Sequence, residues 1–316
     1  MIDVETAVAP ARPAPPARPR RRTGAALPLL LLAPASAVVA VVIGWPLLQL
    51  ALLSFQEFGR AQVFGQPAEW IWFDNYVSVL TDGEFWAVLG RTVAFAAVCV
   101  VAAMVLGVAL ALLMQRLPKP FRVLMSVGLL LAWAMPALTT TIVWGWMFDT
   151  EYGVVNALLR DLLGLAEFDR RSWLIEPLGF FTVATIIIVW GAVPFVTFMV
   201  FAGLTQVPDE QLEAAALDGA GPVMRFRAIV LPQLAPVLVI ATILQLIWDL
   251  RVFTQIFALQ DIGGIRADTS TLGVYIYQTA IAGGEFGIGG ALAVITMVVL
   301  MILAYPLMRN MLRSGR

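Results

Sequence analysis

The sequence predicts an all-α polytopic membrane protein, with six spanning helices and a small polar knob between the fourth and fifth. Hydrophobic residues fill 60% of the 316 positions and charged residues only 13%; soluble domains run roughly 45–50% apolar and about 25% charged. Six apolar runs are long enough to cross a bilayer as helices, which takes about 20 residues. Between two of them lies a mixed stretch, residues 205–236, with carboxylates, small residues and two arginines.

Composition also excludes chemistry. The chain has no histidine, so histidine-based acid–base catalysis and histidine metal sites are absent. Cys99 is the lone cysteine, which rules out an intrachain disulfide and reads as a small core residue. Lys119 is the lone lysine, and no G-x-x-x-x-G-K-S/T occurs. The chain therefore holds no phosphate-cradling loop for ATP. The net charge of −1 carries no sign of a nucleic-acid partner.

Residues 1–26 are rich in Pro, Ala and Arg and end in Arg18, Arg20, Arg21 and Arg22. Such a segment buries no core, so a disordered basic cytoplasmic tail is expected. The run 27–53 is too long for a signal peptide and lacks a small-residue cleavage site. It is expected to stay as the first span, kinked or frayed by Pro34 and Pro46. The other spans are expected at about 85–114, 121–147, 178–205, 234–257 and 287–308, so that residues 27–316 form one six-span domain. With the N-terminus inside, the inner segments hold thirteen Arg/Lys and the outer ones seven. That bias supports both termini in the cytoplasm and places the knob there too.

The knob reads as two short helices joined by a bend. Asp209 and Glu210 follow Pro208 and suit the positive end of a helix dipole. Ala214, Ala215 and Ala216 permit close backbone approach. Gly219 and Gly221 supply the conformations that end a helix, and Asp218 is expected to hold the turn through backbone N–H groups. Pro222 suits a first turn. Pro232 is expected to stop the second helix after about two turns, so that Leu231 and Pro232 set the start of the fifth span. On general physics, the stretch also fits an amphipathic connector resting on the membrane.

The spacing Glu213-Ala214-Ala215-x-x-Asp218-Gly219-Ala220, followed by Phe226, Ile229, Leu231-Pro232 and Pro236, resembles the EAA loop of permease subunits of ATP-binding-cassette importers. Residues 33–55 resemble the first span of sugar-importer permeases. Residues 70–76 resemble the F-x-G-L-x-N-Y signature with two residues missing. Trp144, Trp146, Phe148, Asp149, Tyr152, Gly153 and Asn156 resemble a pattern of carbohydrate permeases, Gly263-Gly264 its G-G-P, and residues 285–291 the D-F-G-x-x-x-A opening of the last span. Nearly all the chain after residue 27 is thus similar to the MalF-like carbohydrate-uptake permeases.

The resemblance implies a non-catalytic subunit of a multi-pass prokaryotic cell-membrane transporter for a sugar or sugar-like solute. It implies a second permease, two ATPase subunits (or a homodimer of one) that bind ATP and Mg, and an extracytoplasmic binding protein. It also implies that the coupling loop 206–233 docks on an ATPase through Glu213, Ala214, Ala215, Asp218, Gly219, Ala220, Leu231 and Pro232. An importer of another solute class, or an ion-coupled secondary transporter, are the alternatives; for the latter, Asp249 is the one carboxylate well inside a span.

Ionisable and polar side chains inside spans face protein or a watery cavity. The fifth span carries Gln245, Trp248, Asp249, Arg251 and Gln255. The fourth carries Trp190, Pro194 and Phe195, similar to the W-x-x-x-P-F motif of these permeases. These eight residues are expected to line a solute path, with Trp133, Pro136 and Thr139–Thr141 of the third span as further candidates. They equally fit structural anchoring: charges paired with neighbouring helices, a packing kink at Pro194, hydroxyls bonded back to their own helix. Arg91, at the start of the second span, reads as a snorkelling cation.

Overall fold

A computed structural model describes residues 26–314, so the tail expected over 1–26 lies outside the described residues except for its last position. The described chain is nearly all helix. Within the described residues, 26–50 and 51–314 belong to two units.

Helix α1 (26–53) is continuous through Pro34 and Pro46, and its residues 26–50 are the described part of the first unit. A π-turn, Ala40–Gly44, precedes Trp45-Pro46, and Trp45 N–H donates to Ala40 O. The cause is the proline. It has no N–H and its ring presses on the carbonyl four residues back, which lies inside the π-turn. Widening the turn absorbs both defects without breaking the helix.

The second unit holds β1 (Gln56–Glu57) and β2 (Glu69–Trp70), an antiparallel pair, then α2 (Asp74–Thr81) and α3 (Gly83–Arg116). Next come α4 (Lys119–Ala134), α5 (Ala137–Met147), α6 (Val154–Asp161) and α7 (Pro177–Leu204). The remainder is α8 (Asp209–Leu217), α9 (Pro222–Leu250), α10 (Thr254–Ile262), α11 (Leu272–Ala282) and α12 (Phe286–Ser314).

Packing centres on α3 against α7. Ala96, Cys99, Ala103, Gly107 and Ala111 recur along α3 every three or four residues, and all are buried. In lipid, helices associate through such close approach rather than through the hydrophobic effect. A Cβ on Gly107 would lie 2.5 Å from Val196 Cγ1, and one on Gly203 would lie 2.8 Å from Leu234 Cδ2. Phe95, Phe180, Val183 and Ile187 fill one part of the core; Val196, Val200, Leu204 and Leu234 fill another.

Among the described residues, five helices are long and apolar enough to span, together with one bent pair. Three expectations need correction. The run 121–147 is not one helix: α4 and α5 meet at 100°. Met135, extended at φ −71° and ψ 130°, precedes Pro136 and is pushed out of the helical region by it. The run 234–257 ends early, at Leu250, with a break before Thr254. Pro232 does not end the helix that starts at Pro222. A π-turn, Phe226–Val230, lies two residues upstream, as before Pro46, and the helix runs through to Leu250. Leu231 and Pro232 therefore lie within α9 and do not open it.

Candidate functional site: a pocket at two helix breaks

The break between α4 and α5 and the break between α9 and α10 open on one pocket of about 380 Å3. Met135 and Ala137 line it from the first, and Arg251, Val252, Phe253 and Thr254 from the second. The middle of α7 forms another wall. Of the eight residues expected along a solute path, seven come together here: Trp190, Phe195, Gln245, Trp248, Asp249, Arg251 and Gln255. Pro194 does not. It is buried in α7 and faces a separate apolar groove with Leu129 and Val193. Trp133 and Thr140 also line the pocket, whereas Thr141 is buried and bonds back to Ala137 O at 2.8 Å.

The lining has two characters. Trp248 meets Phe195 edge-on at 4.9 Å, and Trp190 meets Trp144 at 6.2 Å, so aromatic faces are fixed by aromatic neighbours. Beside them sit polar groups with few partners. Gln245 is 1% and Asp249 2% exposed. One turn apart on α9, they share a contact in which Gln245 Nε2 donates to Asp249 Oδ1 at 3.2 Å and Oδ2 at 3.3 Å. Gln245 Oε1 is buried without a partner. Among the described residues Asp249 pairs with no cation, and Arg251, exposed, pairs with no carboxylate. The expected alternative of charges anchored to neighbouring helices finds no ion pair here.

Backbone adds donors. Neither α5 nor α10 has a side-chain cap at its N-terminus. The first-turn N–H groups of each are left without intrahelical partners, and Ala137, Thr254 and Gln255 present those turns to the pocket. Val252 and Phe253 were not anticipated from sequence. The segment 250–254 has neither Gly nor Pro, and an apolar run gives no local sign of a break there.

The coupling-loop residues gather elsewhere. Glu213, Ala214 and Asp218 are exposed on or just after α8, while Ala215 and Ala220 are half-buried. Gly219 has φ +85°, the left-handed value that favours glycine, and Gly221 has an ordinary φ of −67°. The bend closes through Asp218 N–H to Ala214 O at 3.0 Å and Ala220 N–H to Ala215 O at 2.9 Å. Asp218 thus joins the turn through its own N–H; its carboxylate is exposed. Gln233 Nε2 donates to Gln211 Oε1 at 2.7 Å and ties α9 to α8. Leu231 and Pro232 are exposed on α9. Leu217 is 90% exposed, with Val223 and Met224 exposed across the bend.

The remaining sequence patterns are structural staples. Asp149 accepts from Glu151 N–H at 2.8 Å and Tyr152 N–H at 2.9 Å, which holds its carboxyl below the usual range. Asn156 Nδ2 donates to Arg171 O at 2.9 Å, and its Oδ1 accepts from Trp173 Nε1 at 2.7 Å. Asn75 Nδ2 donates to Ser54 O at 3.0 Å and Gln56 O at 2.9 Å. Gly287 packs on the same spot, where a Cβ would lie 2.3 Å from Gln56 O. Two signatures 212 positions apart (287 − 75) therefore meet.

A polytopic helical protein whose spans break around a half-polar pocket, with an exposed bent knob between two long helices, is built as a transporter membrane subunit. The chain matches the family "binding-protein-dependent transport system inner membrane component" over residues 103–315, and it belongs to that family. It is 42% identical over 298 residues to the diacetylchitobiose uptake system permease protein DasB of Streptomyces coelicolor, covering 94% of this chain and 90% of that one. It is 36% identical to the sulfoquinovosyl glycerol transport system permease protein SmoG of Agrobacterium fabrum, covering 85% of each. Identity to the trehalose/maltose permease protein MalF of Thermococcus litoralis is 34%, covering 88% of this chain and 90% of that one. The crystal structure of a bacterial ABC transporter that imports alginate has the same fold: TM-score 0.75 at 19% identity, over 92% of this chain and 96% of that one. The protein is a non-catalytic permease subunit of a binding-protein-dependent importer, which replaces the ion-coupled alternative.

Proposed function

We propose that this subunit carries a sugar or sugar-like solute into the cytoplasm through the pocket between α5, α7, α9 and α10. It works beside a second permease, under an extracytoplasmic binding protein and above two ATPase subunits that hold ATP and Mg. The bent pair is the third of six spans, both termini are cytoplasmic, and the knob at α8 is the docking element for an ATPase. The pocket carries the proposal: aromatic faces of Trp190 and Trp248 stand beside buried hydrogen-bonding groups of Gln245 and Asp249. Sugars offer apolar ring faces and a fringe of hydroxyls, and this lining answers both. The names of the curated relatives, a chitobiose derivative and maltose among them, agree with that chemistry.

At the knob, Glu213 supplies a charged contact and Leu217, Val223 and Met224 an apolar one. The test uses the complete complex in proteoliposomes with a loaded binding protein. Gln245→Leu is expected to reduce uptake by about tenfold, since it removes the partners of a buried polar group. Glu213→Arg is expected to abolish coupled ATP hydrolysis while the two permeases still assemble. Uptake at the unmodified rate in both variants would refute the assignment.

A further inference from the structure

Between the α3 half that begins at Gly83 and the α7 half that begins at Pro177 lies a second, largely apolar groove of about 470 Å3. Its floor includes Phe95 and Phe181, whose rings stand 5.1 Å apart. Ala94 and Val98 line the α3 side; Leu178 and Ile186 line the α7 side. Thr182 and Thr185 also face it, but their hydroxyls donate to Leu178 O and Phe181 O at 2.7 Å each. Those hydroxyl protons are therefore spent within α7, and the groove offers a chain-shaped apolar trough about 10 Å long, from position 91 to 98 at 1.5 Å per residue.

One charge sits at its mouth. Arg91 lines the groove. Its Nη1 donates to Ser270 O at 3.0 Å and to Ala267 O at 3.3 Å, which pins the guanidinium and ties the segment before α11 to α3. Among the described residues, Nε and Nη2 have no partner and no carboxylate pairs with Arg91. This is not a free snorkelling cation. It is held in place with one edge of the fork unused. Its depth is also informative. α3 has 34 residues, so it is about 51 Å long against a hydrocarbon core of about 30 Å. Arg91, about 12 Å from the helix start, therefore falls near the boundary between hydrocarbon and headgroups.

We infer that this groove is a specific phospholipid site: Arg91 binds the phosphodiester through its free N–H groups, and one acyl chain lies in the trough over Phe95 and Phe181. The planar fork suits a phosphate, and an unpaired cation above an apolar channel complements a molecule with an anionic head and an aliphatic tail. The lipid belongs to the leaflet on the side of α11. By bridging α3, α7 and the loop 266–270, it stabilises the face of the permease from which α10 and α11 are hung.

The test uses the purified complete complex. Native mass spectrometry counts retained phospholipid, and benzoylphenylalanine at position 98 is photolysed to identify the groove's occupant. The expected result is a crosslink to phospholipid. Retention is expected to be about tenfold weaker in Arg91→Gln, the loss of a charge-assisted contact, and largely preserved in Arg91→Lys. Ala94→Trp, which fills the trough without touching the charge, is expected to displace the lipid as well. A crosslink from position 98 to the second permease would overturn the inference, as would unchanged retention in both Arg91→Gln and Ala94→Trp. So would equal retention of a diacylglycerol, which lacks the phosphate.

Discussion

Gly219 and Gly221 differ in one property that the structure makes testable. Gly219 stands at φ +85°, Gly221 at φ −67°; neither has any atom within 4 Å of where a Cβ would sit. Space is equal, so only backbone strain separates them. Alanine at a left-handed position costs about 1–2 kcal/mol, whereas at position 221, with φ −67°, it meets no such penalty. Wherever docking on the ATPase requires this bend, that penalty lowers the competent fraction by up to about 5–30-fold and weakens apparent affinity by the same factor. Asparagine, which tolerates the left-handed region, recovers part of the loss. The assay is solute-stimulated ATP hydrolysis of the reconstituted complex against ATPase concentration, for Gly219→Ala, Gly219→Asn and Gly221→Ala. The expected order is Gly221→Ala near the unmodified protein, Gly219→Asn intermediate, Gly219→Ala weakest. The knob is exposed, so thermal stability of the spans serves as control and stays unchanged. Equal behaviour of Gly219→Ala and Gly221→Ala would refute the idea that the bend is what the motor grips.

Two further outcomes follow from packing and charge. Gly107→Ala is expected to destabilise the α3–α7 contact by about 1–3 kcal/mol, because its Cβ would fall 2.5 Å from Cγ1 of the buried, β-branched Val196; Gly90→Ala, with nothing nearby, is the matched control, and unfolding temperature in nanodiscs distinguishes them. Asp149 has a depressed folded pKa because Tyr152 and Glu151 N–H groups bond its charged form. Its contribution to the loop after α5 is therefore complete above the ordinary carboxylate value of about 3.9 and is lost as pH falls through the lower folded value. Limited proteolysis of residues 150–176 is expected to accelerate only in that acid window, and Asp149→Asn should remove the pH dependence.

The parts of this fold that were legible in the sequence are those set by local chemistry. The ends of α3 and α7 fall within two residues of the apolar runs at 85–114 and 178–205, because Asp82 caps one by accepting from Glu84 N–H and Pro177 opens the other. The knob was legible because Pro208, Gly219 and Pro222 each act within a turn. Prolines misled where helix geometry could adapt. Pro232 looked like a stop, yet a π-turn upstream accommodates it, as one does before Pro46. The break at 251–253 was invisible for the opposite reason: no residue there forbids a helix, and tertiary packing of α10 against α5 and α7 decides it.

The pocket nevertheless has a logic that joins the side chains and the backbone. Inside a bilayer, non-helical backbone is tolerated only where it is buried in protein or lines a water-filled cavity. Two breaks, at 135–136 and 251–253, each free backbone groups, and their positions at one pocket satisfy that condition once for both. Intramembrane Asp249 and Gln245 obey the same rule by a separate route, since a polar side chain at that depth must also face protein or water. Side-chain chemistry alone points to the polar and aromatic lining, and the breaks supply the uncapped helix ends that it does not predict. A site at which two independent desolvation costs are relieved by a single cavity is the place where a polar solute can replace water at least cost. That is the physical ground for proposing the crossing at this pocket and not at the apolar groove that Pro194 faces.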